Sequence, residues 1–286
     1  MAYLHINNLY KEQDILMFKE CYAMEKIHGT SAYISFKNGR VSFFAGGGDH
    51  KTFLALFDKE FLRQKFLEVS PPDKSVLIYG EFYGGKLQRK KETYGDIQKF
   101  IVFEVKIGDA WLNVPNAEKF VKNFNLEFVH YKRIPATIEE IEAQMLAPSV
   151  QAVRNGMGEN KAREGVVLRP IEEVVKNNGE RIIAKHKNPI FSETKTIRNV
   201  NESQRLVLEE ASKIADEWVT LNRLKNILSH FENVGIKNTG EIIKVMIEDV
   251  IREGAGEIAD SKELRRILGK RIAQLFKQYL RSLLNG

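Results

Sequence analysis

A single lysine, Lys26, stands between an acid and a His-Gly pair in the segment Glu25-Lys26-Ile27-His28-Gly29-Thr30. This lysine could be a nucleophile that takes a nucleotide onto its amine, or it could be a solvated charge in a turn. A nucleophilic lysine must first lose its proton, and nearby cations and partial burial both favour the neutral amine. The choice between the two interpretations therefore depends on partners elsewhere in the chain.

Two lysines and two glutamates further along the chain could complete such a site. Lys185 and Lys187 lie two positions apart in a predicted strand, so their side chains share one face. There they could bind an α-phosphate while negative charge builds up in the transition state. Glu81 and Glu164 stand beside glycines at strand ends, where one could bind ribose hydroxyls and one could hold Mg²⁺. Phe103, in an apolar strand, could offer its ring to a flat base.

Each of these residues also has a purely structural interpretation. Phe103 could belong to the core, and Glu81 could pair with a neighbouring lysine. Lys185 and Lys187 could form a solvated strand face, and His28 could be a turn residue bonded to the backbone. What favours chemistry is the order of the set along the chain: one Lys-x-x-Gly segment, two strand-terminal glutamates beside glycine, and then a Lys-x-Lys pair.

The elements that must position these residues are strands and short helices over roughly the first 200 residues. Asn38-Gly39 is a strong hairpin signal because both residues tolerate positive φ. Thr137 and Glu140 form a capping box at the start of a helix. The strands are predicted at residues 20–24, 31–36, 40–45, 75–82, 100–106, 126–131, 164–170 and 181–187, and the helices at 50–69, 115–124, 137–146 and 149–154.

The remainder of the chain shows only helical patterns, predicted at residues 202–231, 240–252 and 261–284. We therefore expect two domains, a strand-rich one at residues 1–198 and a helical one at residues 199–286. Residues 1–200 carry a net charge of about +5 and the rest about +1. The basic character of the protein thus belongs to the strand-rich part.

The composition favours a globular protein with a polyanionic partner. The net charge is +6 and the sequence pI is near 9.1, a moderately basic balance that favours a polyanionic partner such as nucleic acid. With Cys21 as its one cysteine the chain forms no internal disulfide, and six scattered histidines do not make a zinc site. No apolar run reaches 18 residues and the first residues lack a leader pattern, so we expect a cytoplasmic protein without a membrane span.

The ordered set of residues resembles the five nucleotidyltransferase motifs of ATP-dependent polynucleotide ligases and capping enzymes. The matching segments are residues 24–31, 78–85, 100–105, 164–170 and 182–188. The Glu-Lys-Ile-His-Gly-Thr form is most similar to the RNA ligase 2 family, which includes nick-sealing phage enzymes and kinetoplastid editing ligases. DNA ligases usually have an acid where His28 stands, and DNA ligases and capping enzymes carry an OB barrel where this chain reads as helices.

This resemblance implies an α+β fold. The first domain would be a nucleotidyltransferase domain, ATP-grasp-like, with two antiparallel sheets and flanking helices. A small all-helical C-terminal domain would follow it.

The resemblance also implies that four residues carry the catalysis. Lys26 would take up AMP as a lysyl-AMP adduct. Glu164 would support the metal, partly through water, and the metal would be Mg²⁺, with Mn²⁺ as an alternative. Lys185 and Lys187 would bind the α-phosphate of ATP and assist the later steps.

Further residues would form the pocket for ATP and AMP. By the same resemblance, Glu81 would contact the ribose and Phe103 would stack on the adenine. Glu25, Ile27 and His28 would support the pocket around the lysine.

Two positions depart from the pattern of the family. Ser31 stands where the family often has an asparagine that organises a metal-bound water shell, so Ser31 is kept as a candidate for that shell. The strand after the hairpin commonly has an arginine that contacts a 5′ phosphate, and Phe44-Ala45-Gly46-Gly47 stands there instead. Backbone amides of the glycine run could replace it as an anion nest, or Arg40 could reach the phosphate.

The sequence thus predicts an ATP-dependent RNA ligase, a monomer, that joins RNA 3′-hydroxyl and 5′-phosphate ends through lysyl-AMP and RNA-adenylate intermediates. The alternatives are a ligase of DNA or hybrid strands, another covalent nucleotidyltransferase such as a capping enzyme, and a catalytically silent nucleic-acid-binding module. A basic loop offers candidate nucleic-acid contacts, unless it is merely a solvated charge run. Its residues are Lys86, Arg89, Lys90 and Lys91.

Overall fold

The strand-rich part of the chain folds into two antiparallel sheets. The computed structural model describes residues 3–71, 73–176, 179–191, 202–231, 234–255 and 258–284. Its strands are β1 (Glu20–Glu25), β2 (Thr30–Lys37), β3 (Arg40–Phe44), β4 (Val76–Tyr83), β5 (Lys99–Ile107), β6 (Ala110–Trp111), β7 (Tyr131–Pro135), β8 (Gly165–Pro170) and β9 (Ala184–Lys187). One sheet has the strand order β7-β1-β8-β9 and the other β3-β2-β4-β5-β6. The predicted pair of antiparallel sheets is confirmed.

Helices flank the sheets and form the C-terminal region. Those of the described residues are α1 (His50–Leu54), α2 (Lys59–Val69), α3 (Lys91–Tyr94), α4 (Val114–Lys122), α5 (Ile138–Leu146), α6 (Val150–Arg154), α7 (Glu202–Trp218), α8 (Leu221–Leu228), α9 (Thr239–Glu253) and α10 (Lys262–Leu284). Short 3₁₀ turns lie at Asp14–Met17, Leu87–Arg89, Pro189–Phe191 and Ile236–Asn238. None of these described helices is both long enough and apolar enough to cross a membrane.

The five-stranded sheet shows how the alternating pattern sorts its residues between two faces. In β2, Ala32, Ile34 and Phe36 are buried, and Phe36 stacks on Phe66 of α2 with ring centroids 4.9 Å apart. The intervening residues of β2 are only partly buried and face the other way. The β2–β3 hairpin turns at Asn38-Gly39 with both φ angles positive, as the sequence predicts.

Local capping breaks two helices that the periodicity predicts as continuous. The predicted helix over 50–69 is wrong because Asp58 leaves the helix and accepts from the amides of Glu60 and Phe61, so a new helix, α2, starts there. The predicted helix over 202–231 divides in the same way at Thr220, whose hydroxyl accepts from the amide of Arg223. The helices predicted at 240–252 and 261–284 are confirmed as α9 and α10.

The strand predicted at residues 126–131 is also wrong. β7 begins only at Tyr131, and Phe128 upstream of it makes one isolated bridge, to Val102 of β5. Phe128 is buried in the core of the five-stranded sheet. The apolar run therefore serves packing before the chain enters the four-stranded sheet.

The chain divides into two compact units. The first comprises residues 1–12, 20–173 and 182–197, and the second comprises residues 13–19, 174–181 and 198–286. The second unit therefore takes in two short segments from earlier in the chain. The boundary predicted between residues 198 and 199 lies outside the described residues.

Within the second unit, α7, α9 and α10 pack through apolar side chains such as Ala215, Met246 and Phe276. Arg223 at the start of α8 forms ion pairs with Asp249 and Glu253 of α9. These ion pairs join α8 to α9. The helical region is therefore stabilised by charged side-chain contacts as well as by apolar packing.

Candidate active site

The turn that carries Lys26 crosses from one sheet to the other, because β1 belongs to the four-stranded sheet and β2 to the five-stranded one. The amide of Lys26 donates to the carbonyl oxygen of Gly165 at 3.0 Å, which fixes the turn against β8. A Cβ on Gly29 would collide with the carbonyl oxygen of Phe82 in β4. Glycine is thus required here by the approach of two backbone segments.

Glu164 lies at the centre of a cluster of cations. Its side chain is only 1% exposed, and Lys26 Nζ donates to its Oε2 at 2.8 Å. Its Oε1 lies 3.3 Å from Nδ1 of His28 and 3.5 Å from Nζ of Lys187. Burial opposes ionisation of this carboxyl, but the hydrogen bond with His28 and the charge of Lys26 lower the pKa of Glu164 to about 2. The carboxylate is therefore ionised and binds the lysine amine directly.

The two lysines of β9 face the same site, as expected for residues two apart in a strand. Lys187 reaches Glu164, and Lys185 lines a cavity beside Lys26. The backbone of Lys185 is held on both sides, since its amide donates to the Asn7 carbonyl at 2.9 Å and its carbonyl accepts from the Leu9 amide at 2.8 Å. An N-terminal segment thereby pairs with the edge of the four-stranded sheet.

The cavity beside Lys26 has a volume of about 340 Å³, within the usual range for small-molecule pockets. Among the residues that line it are seven predicted from the sequence, Glu25, Lys26, Ile27, Ser31, Glu81, Phe103 and Lys185. Glu164, His28 and Lys187 do not line the cavity. Glu164 contacts Lys26, which does line it, and His28 and Lys187 both contact Glu164. The structure thus brings all ten predicted pocket residues to one place.

A shift of register explains how two adjacent residues of β5 both line this cavity. Tyr79 of β4 lies opposite Glu104, but the next residue, Gly80, lies opposite Val102. Phe103 is the extra residue of this β-bulge, and bulges re-aim side chains that strict alternation would separate. Phe103 is half-buried and Glu104 is buried, and both line the cavity.

Sequence reasoning missed the residues that adjoin Phe103. The ring of Tyr3 meets Phe103 edge-on at 4.9 Å, and the Tyr3 hydroxyl donates to the carboxylate of Glu104. Glu104 forms an ion pair with Arg169 at 2.8 Å, and each side chain is 1% exposed. An acid and an arginine inside otherwise apolar strands were the signal that could have revealed this pair.

Glu81 and Ser31 face each other across β2 and β4. Glu81 accepts from the amide of Gly29 at 2.9 Å, and burial, opposed by the charge of Lys26, raises the pKa of Glu81 to about 7. The hydroxyl oxygen of Ser31 is buried without a hydrogen-bond partner among the described residues. A ligand or a water in the cavity would satisfy this buried hydroxyl.

The raised pKa of Glu81 should make stability depend on pH. The folded protein binds the proton more tightly than the unfolded chain, so this contribution is present below pH 4.5 and is lost as pH rises towards 7. We expect wild type to lose on the order of 3 kcal/mol of unfolding free energy over that window relative to Glu81→Gln. Urea unfolding at pH 4.5, 6 and 8 measures it. Exposed Glu92→Gln is the control, and parallel pH profiles for wild type and Glu81→Gln would contradict the assignment.

The carboxylate of Glu25 is engaged at the start of α6. It accepts from the Ser149 hydroxyl at 2.6 Å and from the amides of Val150 and Gln151 at 3.1 and 3.3 Å. Burial raises the pKa of Glu25 against these bonds and the charge of Arg163. The side chain therefore anchors the strand that leads to Lys26, although the residue also lines the cavity.

A family model described as RNA ligase matches residues 19–187, more than half of the chain. The chain belongs to the RNA ligase family. A second model, described as the C-terminal region of T4 RNA ligase 2, matches residues 202–279, so the helical region also fits the RNA ligase 2 branch.

Solved RNA ligases of Naegleria gruberi share the fold of this family member. A single-residue variant with AMP and Mn is 14% identical, and the form with PPi is 16% identical. Both alignments cover 67% of this chain and 57% of the solved chain, with a TM-score of 0.51. The present ligase-family chain thus spans little more than half the length of those proteins.

The basic loop of this RNA ligase family member lies next to the lysine turn. The amide of His28 donates to the hydroxyl of Tyr94 at 3.3 Å, which ties α3 to the turn. Lys90 places its amine 4.4 Å from the ring centre of Phe191, and that ring lies 5.8 Å from the ring of His28. Among the other basic residues, Lys86 is exposed, Lys91 pairs with Asp96 at 3.0 Å, and the side chain of Arg89 lies outside the described residues.

Arg40 and two amides of the glycine run do not fit the role of the missing arginine of the family. The amide of Gly47 donates to the Thr30 hydroxyl at 2.9 Å and that of Gly48 to the Ala45 carbonyl at 2.9 Å, so both amides are already engaged. Arg40 lies opposite Lys37 in the ladder between β2 and β3, at the hairpin end of β2. The other end of β2, at the lysine turn, is seven residues away. That is roughly 20 Å along the strand, beyond the reach of an arginine side chain.

Proposed function

We propose that this chain is an ATP-dependent RNA ligase that seals RNA 3′-hydroxyl and 5′-phosphate ends in three nucleotidyl transfers. The observation that carries the proposal is the bond from Lys26 Nζ to Glu164 at 2.8 Å, beside a cavity that also contains Glu81, Phe103 and Lys185. A lysine in a turn needs no buried acid, whereas a nucleophilic amine needs to be held in one orientation.

In the first transfer, the neutral amine of Lys26 attacks the α-phosphorus of ATP and pyrophosphate leaves. The ionised Glu164 orients the amine, and the ammonium of Lys26 gives up its proton to solvent before the attack. Lys185 and Lys187 bind the α-phosphate oxygens as negative charge increases on them. The product is a phosphoramidate, in which the Nζ of Lys26 is bonded to the phosphorus of AMP.

The base and sugar of ATP would occupy the same cavity, beside Phe103 and Glu81. The half-buried ring of Phe103, positioned by the bulge in β5, offers a surface for adenine. The carboxylate of Glu81 is an acceptor for ribose hydroxyls. Glu25 and Ile27 contribute to the walls of the nucleotide pocket, and the carboxylate of Glu25 acts by anchoring β1.

The residues present fit a magnesium ion that arrives with its nucleotide. No cluster of three or more acidic, histidine or cysteine ligands occurs among the described residues. Mg²⁺ commonly keeps several waters and binds one or two carboxylates together with substrate phosphates. Glu164 would hold it partly through water, and the buried hydroxyl of Ser31, which has no hydrogen-bond partner among the described residues, would join its water shell. The bound ion would neutralise phosphate charge.

In the later transfers, AMP moves from Lys26 to the RNA 5′ phosphate, and a 3′ hydroxyl then attacks that phosphate and releases AMP. The loop with Lys86, Arg89, Lys90 and Lys91 supplies cations for the RNA backbone beside the turn. We further propose that the protein acts as a cytoplasmic monomer and that residues 199–286 form a separate helical domain.

Incubation with α-³²P-labelled ATP and Mg²⁺ tests this function. We expect a covalent AMP adduct that survives denaturing gel electrophoresis in wild type and none in Lys26→Ala, because alanine offers no nucleophile. Lys132→Ala, on the exposed side of β7, is the matched control. A folded wild-type protein without label would contradict the proposal, and preferential labelling by GTP would favour a capping enzyme. Nicked RNA, hybrid and DNA duplexes then separate an RNA ligase from a DNA ligase.

A further inference from the structure

One face of the five-stranded sheet carries a row of aromatic rings that continues from the cavity. Tyr33 of β2 lies opposite Tyr79 of β4, directly beyond the facing pair Ser31 and Glu81. Tyr33 stacks on Phe44 of β3 with ring centroids 5.1 Å apart and an interplanar angle of 18°. This face is opposite to the one that packs on α2, so its rings are not part of the main core cluster.

The row extends across the sheet to β6. Tyr79 packs against Trp111 at 5.7 Å, and the amine of Lys106 lies 5.3 Å from the ring centre of Trp111. Tyr3 touches Tyr79, Trp111 and Phe103, and so connects the row to the ring that lines the cavity. Trp111, like Tyr33 and Phe44, is partly exposed.

Cations and hydroxyls lie at the far end of the same face. A shallow depression there is lined by Ser35, Lys37, Asn38, Arg40 and Ser42. Lys37 and Arg40 are exposed and directly opposite each other in the hairpin. A depression with two cations and two hydroxyls matches the chemistry of a phosphate group.

We propose that this face is a track for single-stranded RNA that leads to the nucleotide cavity. Proteins that bind single strands combine aromatic rings, on which bases stack, with cations that follow the backbone. The distance from Ser31 to Lys37 along β2 is about 20 Å, so the face is long enough to hold several nucleotides. The charge of the face favours a polyanion over a protein or a second copy of this chain. The proposal rests on the proposed function, because it specifies how the RNA next to the reacting end is held.

Anisotropy titration with a fluorescein-labelled, 12-nucleotide single-stranded RNA bearing a 5′ hydroxyl tests the track without catalysis. We expect Tyr33→Ala to weaken binding about tenfold, since stacking on one ring commonly contributes that much. Phe57→Ala is the control, because Phe57 is also partly exposed but packs on the opposite face. Thermal unfolding of both variants confirms that they fold.

The two cations are tested by the salt dependence of the same binding. The double variant Lys37→Gln/Arg40→Gln should lower the slope of log affinity against log salt by about 1.4, as expected for two lost phosphate contacts on a single strand. Lys51→Gln/Lys59→Gln, two exposed lysines on helices α1 and α2, should leave the slope unchanged. In a Trp218→Phe background, RNA should also change the fluorescence of Trp111.

Wild-type RNA affinity in both Tyr33→Ala and the double glutamine variant would overturn the track. If these variants instead altered sedimentation of the protein, the face would belong to a protein interface and the track would again be wrong. Wild-type adduct formation with ATP, measured separately, distinguishes this outcome from failure of the proposed function. If the protein forms the AMP adduct but its RNA affinity does not depend on the aromatic ring, the track is wrong and the proposed function is not affected.

Discussion

Replacing Glu164 by glutamine should slow the sealing of RNA ends by about 100-fold or more while the protein stays folded. The carboxylate holds the amine of Lys26 at 2.8 Å and lies within 3.5 Å of cationic or hydrogen-bonding nitrogens of His28 and Lys187. Glutamine keeps the shape but removes the charge and one acceptor oxygen, so the amine loses its fixed orientation. A displacement of about 1 Å in a reacting group commonly costs about 100-fold in rate.

Single-turnover assays separate the steps that Glu164 serves. We expect slower AMP adduct formation with ATP, and slower joining of RNA that is already adenylated. Glu118→Gln is the matched control, since Glu118 is also ion-paired, to Lys122 at 2.9 Å, but lies on α4 and does not line the cavity. Joining at the wild-type rate in Glu164→Gln would show that the acid has no part in the reaction.

The same variant should change the acid stability of the protein. The pKa of Glu164 falls from 4.5 to about 2 in the folded state, so its contribution is present above pH 4.5 and is lost as pH falls towards 2. The shift corresponds to on the order of 3 kcal/mol of unfolding free energy. Wild type should therefore lose more stability than Glu164→Gln on acidification, whereas Glu81→Gln shows its difference between pH 4.5 and 7.

The sequence predicted the strands of the site because their signals are local. Alternating apolar residues, the Asn38-Gly39 turn and glycines beside Glu81 and Glu164 each act within a few residues. The contact of Lys26 with Glu164 spans 138 positions and depends on the pairing of β1 with β8. No local pattern specifies that pairing, and the resemblance to ligases assigned Glu164 to the metal rather than to a contact with Lys26.

What the sequence did not predict arises where local capping or tertiary structure overrides periodicity. Asp58 and Thr220 interrupt helical patterns because a free side-chain oxygen can cap a new helix. The bulge in β5 turns Glu104 to the same cavity as Phe103, against the period of two. The carboxylate of Glu25 anchors α6 because the start of that helix lies against the end of β1, a relation that only the fold creates.

The N-terminal segment shows the same limit. Its pairing with β9 places Tyr3 against Phe103, although the two lie 100 positions apart. Nothing in the sequence of the first ten residues marks a strand. The segment meets β9 through an isolated bridge between Asn8 and Lys185. The segment therefore contributes both to the cavity and to the backbone of one of its lysines.

Replacing Lys185 by methionine should lower the rate of AMP adduct formation by about 100-fold. Lys185 lines the cavity beside Lys26, where its charge would meet the α-phosphate of ATP, and removing one such transition-state contact commonly costs 10²- to 10³-fold. Methionine keeps the length of the side chain. The backbone bonds of residue 185 to Asn7 and Leu9 do not involve the side chain, so the strand should stay in place.

Lys187 differs from Lys185 in that it also contacts Glu164. Lys187 lies 3.5 Å from Glu164, so Lys187→Met should affect the orientation of Lys26 through that acid as well as the binding of the phosphate, and part of the loss should disappear in a Glu164→Gln background. The loss in Lys185→Met should persist in that background, because Lys185 acts on the phosphate itself. Rates of pyrophosphate release measure both, with Lys132→Met as the control. Wild-type rates in Lys185→Met would remove Lys185 from the phosphate site and leave charge neutralisation there to Lys187 and the metal.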